Sequence, residues 1–149
     1  MSKIIKAGLK ELEDLTALFN QYLVFYKKPS ETEKAREFLN ERISRNDAGI
    51  FLCVNDAEET VGFTLLYPLF SSTRMRKLWL LNDLFVAPHH RGMGYSKLLI
   101  EKAKELCRQT NAAGLILETS KENMIGNKLY PDTGFELDTE HNFYSWDND

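Results

Sequence analysis

Residues 84–99 constrain this chain more than any other stretch. Leu84-Phe85-Val86 reads as the end of an apolar strand and Pro88 stops it. Gly92 and Gly94 then frame a short turn before a helix whose inner stripe is Leu99, Ala103 and Leu106. Such a junction aims unpaired backbone N–H groups, and the positive end of a helix dipole, at whatever lies in front of it. Glycine at both positions lets an anion approach the backbone and permits left-handed dihedrals. The expected ligand is a phosphorylated cofactor.

The surrounding pattern decides which fold carries that junction. Ile4 and Ile5 suit a short strand, and Leu12, Leu15, Leu18, Phe19, Tyr22 and Leu23 recur at helical spacing from Glu11 to Tyr26. Pro29 ends that helix. Ser30 with Glu33 reads as a capping box for a second helix, with Ala35, Phe38, Leu39 and Ile43 inside and Gly49 closing it. Residues 50–54 and 60–66 form a hairpin pattern around 55–59, and 77–86 is a third strand. After the helix ending near Gln109 come a strand at 115–119, a short helix at 123–130, and an antiparallel pair at 134–137 and 142–146. The order β-α-α-β-β-β-α-β-α-β-β predicts an α+β fold: a mixed, mostly antiparallel central sheet flanked by helices.

Size and composition narrow the function. A chain of 149 residues with 43% apolar and 28% charged side chains is expected to form a single globular domain, 1–149. A net charge of −3 argues against a nucleic-acid partner, which usually meets a basic face. No run approaches the 18 or so apolar residues of a membrane span, and the start of the chain has no secretory hydrophobic region, so a cytoplasmic location is expected. Cys53 and Cys107 make neither a metal spacing nor a disulfide framework. His89 and His90 are adjacent, point apart and have no third ligand placed beside them, so no metal is expected.

Two common phosphate motifs fit poorly. Lys97 stands where G-x-G-x-x-G needs its third glycine, and a dinucleotide-binding fold would repeat βαβ units from its start. The G-K-[ST] of a P-loop is absent as well. Arg91-Gly92-Met93-Gly94-Tyr95-Ser96 instead resembles the R-x-x-G-x-G/A coenzyme A signature of the GNAT superfamily of acetyl-CoA-dependent N-acetyltransferases. A second stretch, Asn123 to Tyr130 followed by Gly134-Phe135, is similar to that family's N-x-x-A-x-x-L-Y-x-x-x-G-F. Ser96 replaces the usual terminal glycine or alanine, Gly126 replaces alanine, and Pro131 follows the tyrosine. Residues 22–26 and 81–86 look most like the histone/polyamine branch, with the diamine acetyltransferases close behind.

The resemblance implies a site. Acetyl-CoA would be the cosubstrate, its pantetheine arm lying between two splayed strands against the backbone of Leu84, Phe85 and Val86. Its pyrophosphate would sit over Gly92, Met93, Gly94, Tyr95, Ser96 and Lys97, with Arg91 adding charge and Asn123 orienting the cofactor or a water. Tyr130 would protonate the leaving thiolate. The acceptor would be a primary amine on a small molecule, a polyamine or a protein lysine.

Amine chemistry also needs a proton acceptor. An alkylammonium of pKa about 10.4 lies roughly three units from neutrality at pH 7, a cost of about 4–5 kcal/mol. Glu118 and Asp83 both end strands beside the expected splay, and either could serve, as could a water chain. Tyr22 and Tyr26 could line an acceptor pocket at the end of the first helix, where Phe25 could equally pack in the core. Residues 142–146 could pair with a second subunit. A non-catalytic acyl-CoA-binding or sensor domain is the competing reading, and a nicotinamide-nucleotide binder the third.

Overall fold

The computed structural model describes residues 2–149. The chain divides into two compact units, one reaching to Glu118 and one spanning Thr119–Asp149. In the first, β1 (Lys3–Lys6) and a 3-10 turn lead to α1 (Leu12–Phe25) and α2 (Thr32–Arg45). Then come β2 (Gly49–Val54), β3 (Thr60–Ser71), β4 (Arg76–Val86), a second 3-10 turn at Pro88–His90, α3 (Tyr95–Gln109) and β5 (Leu115–Ile116). The five strands lie in sequence order, antiparallel from β1 to β4, with β5 parallel to β4.

Both faces of the sheet are covered, which explains why every residue of β2 is buried. Ile50, Leu52, Phe63, Leu65 and Phe85 pack with Leu15, Leu18 and Leu39 of α1 and α2. The alternate residues turn to α3. The Phe51 ring lies 5.6 Å from Lys102 Nζ, and a Cβ at Gly49 would come within 2.9 Å of Leu106. Gly62 is also required to be small, because a Cβ there would meet the Phe85 carbonyl at 2.9 Å and Leu99 at 3.4 Å. That close approach sets the first turns of α3 down onto β3 and β4.

Several local expectations change. The capping box at Ser30 and Glu33 does not form: Glu31 is the N-cap without a side-chain bond, and Ser30 donates to Asn20 Oδ1 instead. Asn46, in the left-handed region at φ 50°, ends α2, while Gly49 is already in β2. Asparagine tolerates that conformation because its short polar side chain can bond locally. β3 runs through Pro68 to Ser71, longer than its apolar pattern, and β5 has only two residues.

The second unit holds α4 (Met124–Asp132). Pro131 sits in its last turn, where the missing N–H costs one bond, and Thr133 still donates to the Leu129 carbonyl. The antiparallel pair expected at 134–137 and 142–146 is absent among the described residues. Asp138 instead accepts the N–H groups of Glu140 and His141 and pairs with the His141 ring, a local turn that competes with strand pairing. Leu137, Phe143, Tyr144 and Trp146 are exposed.

Candidate active site

β4 is irregular where the chemistry is expected. Leu65 pairs with Asp83 but Leu66 pairs with Leu81, so Asn82 is an extra residue in the strand. This bulge changes which way the strand faces. Trp79 bonds Thr110 at the end of α3, whereas Asp83, four residues on, faces α1. Strict alternation would have put both on one side.

Asp83 is only 8% exposed. Its Oδ1 accepts the Tyr22 hydroxyl at 2.8 Å, and its Oδ2 accepts the Asn82 amide at 2.9 Å. Burial pushes the carboxyl above the usual carboxylate range, and the two hydrogen bonds only partly offset this. Tyr67 on β3 feels the same pocket. Its hydroxyl is pushed up to about 12, first by burial and then by the Asp83 charge. The Thr64 hydroxyl donates to the Asp83 carbonyl at 2.9 Å and holds the backbone of the bulge. A carboxyl that burial shifts upward, yet held in one rotamer, is suited to exchanging a proton with a group bound beside it.

The sheet opens beside it. β5 pairs with β4 only at Trp79 and Leu80, while β4 continues to Val86. Among the described residues, 81–86 therefore have no sheet partner on that side. β4 is thus unpaired on that side at Leu84, Phe85 and Val86, while the second strand of the expected splay stops at Ile116 and does not reach residues 117–119. The Val86 carbonyl accepts Arg91 Nε at 2.9 Å.

The turn after β4 has the expected form. Gly92 and Gly94 lie at φ 80° and 83°, and a Cβ at either would meet nothing within 4 Å. Gly94 is the N-cap of α3 and no side chain caps it. The Leu98 N–H reaches the Gly94 carbonyl, so the N–H groups of residues 95–97 lie before the helix ladder begins. An uncapped fifteen-residue helix behind an open glycine turn, with Arg91 and Lys97 adjacent, suits the pyrophosphate of coenzyme A. Met93 is exposed at its tip, and Tyr95 and Ser96 are half-buried.

Arg91 is held more tightly than the motif alone suggests. Its guanidinium stacks over Phe25 at 4.4 Å and Phe85 at 5.5 Å. It thus ties the turn to the last turn of α1. Tyr26 lies beside it, its ring 5.0 Å from Tyr22 and 5.2 Å from Phe25. Tyr22 itself packs against Phe63 and Phe85, so it is part of the core as well as Asp83's partner.

Glu118 is exposed and lies beyond the end of β5, not within a strand. In the second unit, Asn123 caps α4. Its Oδ1 accepts the Gly126 N–H at 3.0 Å and its amide donates to Thr119 Oγ1 at 2.8 Å. A Cβ at 126 would strike that amide at 2.4 Å, which explains glycine at this position. Tyr130 is half-buried with its ring edge-to-face on Phe135 at 5.7 Å. Among the described residues no group of three His, Cys, Asp or Glu side chains gathers as a metal site, and no helix is long and apolar enough to cross a membrane.

Asn82 and Phe25 carry more weight than their types suggested. Asn82 became visible only with the register that makes it a bulge, and Phe25 only with Arg91 stacked on it.

Comparison with known proteins identifies the family and the fold. The profile of the acetyltransferase (GNAT) family matches residues 13–135. The uncharacterized N-acetyltransferase YhfO of Bacillus subtilis is 38% identical over 136 residues, 91% of each chain. A crystal structure of a probable acetyltransferase superposes with a TM-score of 0.94 at 34% identity, covering 99% of this chain and 98% of the other. At 22% identity, a TM-score of 0.82 and 99% of each chain, the fold is also that of AAC(6')-Iy, solved with the bisubstrate analog CoA-S-monomethyl-acetylneamine. From the open glycine turn, the unpaired end of β4 and the match across 13–135, this chain belongs to the acetyltransferase (GNAT) family and is an acetyl-CoA-dependent acetyltransferase.

Proposed function

We propose that the protein transfers the acetyl group of acetyl-CoA to a primary amine by direct attack in a ternary complex, with Asp83 as the base. The observation that carries this is the buried Asp83 carboxyl, held by Tyr22 and Asn82 beside the unpaired end of β4. Acetyl-CoA supplies an activated acetyl thioester. The N–H groups at 92–97 and the charges of Arg91 and Lys97 hold its phosphates, and the free edge of β4 at 84–86 lies along the arm. Asp83 takes the ammonium proton at a carboxylate oxygen, directly or through one water. Tyr130 holds at its hydroxyl the proton that the leaving sulfur takes. That sulfur, of pKa near 8.5, needs only modest help.

Burial and fixed hydrogen bonds favour Asp83 over the exposed Glu118. The acceptors open to this reading are small amines, polyamines and protein lysines, the middle group by resemblance to the histone/polyamine branch. Because the family match runs across both compact units, we read residues 1–149 as one acetyltransferase domain, acting in the cytoplasm. The exposed Phe143, Tyr144 and Trp146 support pairing of residues 142–146 with a second copy, and light scattering that returns a monomer removes that part.

The competing reading is a non-catalytic acyl-CoA sensor. The test is thiol release from acetyl-CoA over diamines, polyamines, aminoglycosides, simple monoamines and lysine peptides, alongside a coenzyme A titration. Turnover with any amine supports the enzyme. Micromolar coenzyme A binding without turnover on the whole panel supports the sensor.

A further inference from the structure

We propose that the acceptor is a small monoamine, one primary ammonium on an apolar or aromatic stem, and not a polycation; this rests on the reading of Asp83 as the base. Aromatic rings cluster beside Asp83. Tyr22, which bonds the carboxylate, stands 5.0 Å from Tyr26 and 5.6 Å from Phe85, and Phe25 stands 5.2 Å from Tyr26. These rings emerge at the surface: Phe25 is 47% exposed, Tyr26 50%, and the neighbouring Val24 54%. An apolar stem laid on this cluster would bury surface that the chain leaves in water, with its ammonium led toward the carboxylate.

The charges around the cluster oppose a second ammonium. Lys27 and Lys28 follow Tyr26 directly, and both are exposed. The Arg91 guanidinium already occupies the face of Phe25. Asp83 is the one buried carboxylate among the described residues, and both its oxygens already accept a bond from Tyr22 or Asn82. Glu31, the acidic residue nearest in sequence to Tyr26, lies 3.9 Å from Lys34. A diamine or aminoglycoside would have to place its further charges near the like charges of Lys27, Lys28 and Arg91. A lysine peptide would add polar backbone to an aromatic surface.

The test uses the full chain, acetyl-CoA and thiol release. Expected kcat/KM values for 2-phenylethylamine and hexylamine exceed those for putrescine, spermidine and kanamycin by about tenfold or more. Tyr26→Ser raises the KM for 2-phenylethylamine by about fivefold, with a much smaller change in kcat. Reversing the charges with Lys27→Glu and Lys28→Glu shifts the putrescine-to-hexylamine ratio toward putrescine by about threefold or more. A polyamine, aminoglycoside or lysine peptide that outperforms both monoamines overturns the inference while leaving acetyl transfer intact. Absence of turnover with every amine removes the underlying reading instead, a different result.

Discussion

The Tyr22 hydroxyl and the Asp83 carboxylate stand 61 residues apart in the chain and 2.8 Å apart in space. The bond joins α1 to the bulged segment of β4 and fixes the rotamer of a carboxyl that burial would otherwise leave costly and mobile. Hydrogen bonds to charged groups contribute about 1.5–3 kcal/mol, so this contact serves both the fold and the site.

Tyr22→Phe keeps the ring against Phe63 and Phe85 and removes only the donor. A donor to the charged form lowers a carboxyl's pKa, so its loss raises that of Asp83 further. The acid limb of kcat/KM should move to higher pH, with thermal stability falling by about 1.5–3 kcal/mol. An unmoved acid limb shows that Tyr22 only packs.

Asp83→Asn should lower kcat/KM at pH 7 by about 10²–10⁴ and abolish the acid limb, whereas Glu118→Gln should change the rate little. Stability moves the other way. Because the folded carboxyl binds its proton more tightly than the unfolded one, wild-type stability falls as pH rises from the ordinary carboxylate pKa through the raised one. The asparagine variant lacks that loss, so its melting temperature should gain on wild type as pH rises above the ordinary carboxylate range of about 4. Loss of activity in Glu118→Gln instead would transfer the role to that residue.

Gly94→Ala tests the cofactor turn. No atom lies within 4 Å of the added Cβ, so the cost arises from φ 83° alone, about 1–2 kcal/mol. The methyl would stand in the space assigned to the pyrophosphate. Calorimetry should show coenzyme A affinity falling by more than tenfold, well beyond the stability change. Equal affinity would place the phosphates elsewhere.

Arg91→Lys keeps the charge but loses the planar group stacked on Phe25 and Phe85 and its bond to the Val86 carbonyl. Stability should fall by about 1–2 kcal/mol, and the KM for both substrates should rise, because the turn is no longer tied to α1. If only coenzyme A affinity changes, in proportion to the charge, the residue acts as a plain phosphate contact.

Asn123→Ala should destabilise α4 by about 1 kcal/mol by removing the acceptor for the Gly126 N–H. Hydrogen exchange should be faster within 124–132, with the five-stranded sheet unaffected.

The sequence by itself determined what depends on local rules. Apolar spacing placed α1, α3 and the run of strands, because a buried face repeats every 3.6 or every two residues wherever it packs. Glycines at 92 and 94 placed the turn before α3, because most other residues are strained at a positive φ. Ser30 with Glu33 misled, since the same pattern is satisfied when Ser30 bonds Asn20 across the loop. The choice between Asp83 and Glu118 was equally out of reach. Both are acids that the sequence places near strand ends, and the burial of Asp83 depends on pairing between β3 and β4 and on one extra residue, Asn82. Only the tertiary structure sets that register, because the bulge exists as a mismatch between two strands and not in either alone. It turned Asp83 toward α1, where Tyr22 donates to it, while Glu118 lies exposed beyond the two-residue β5.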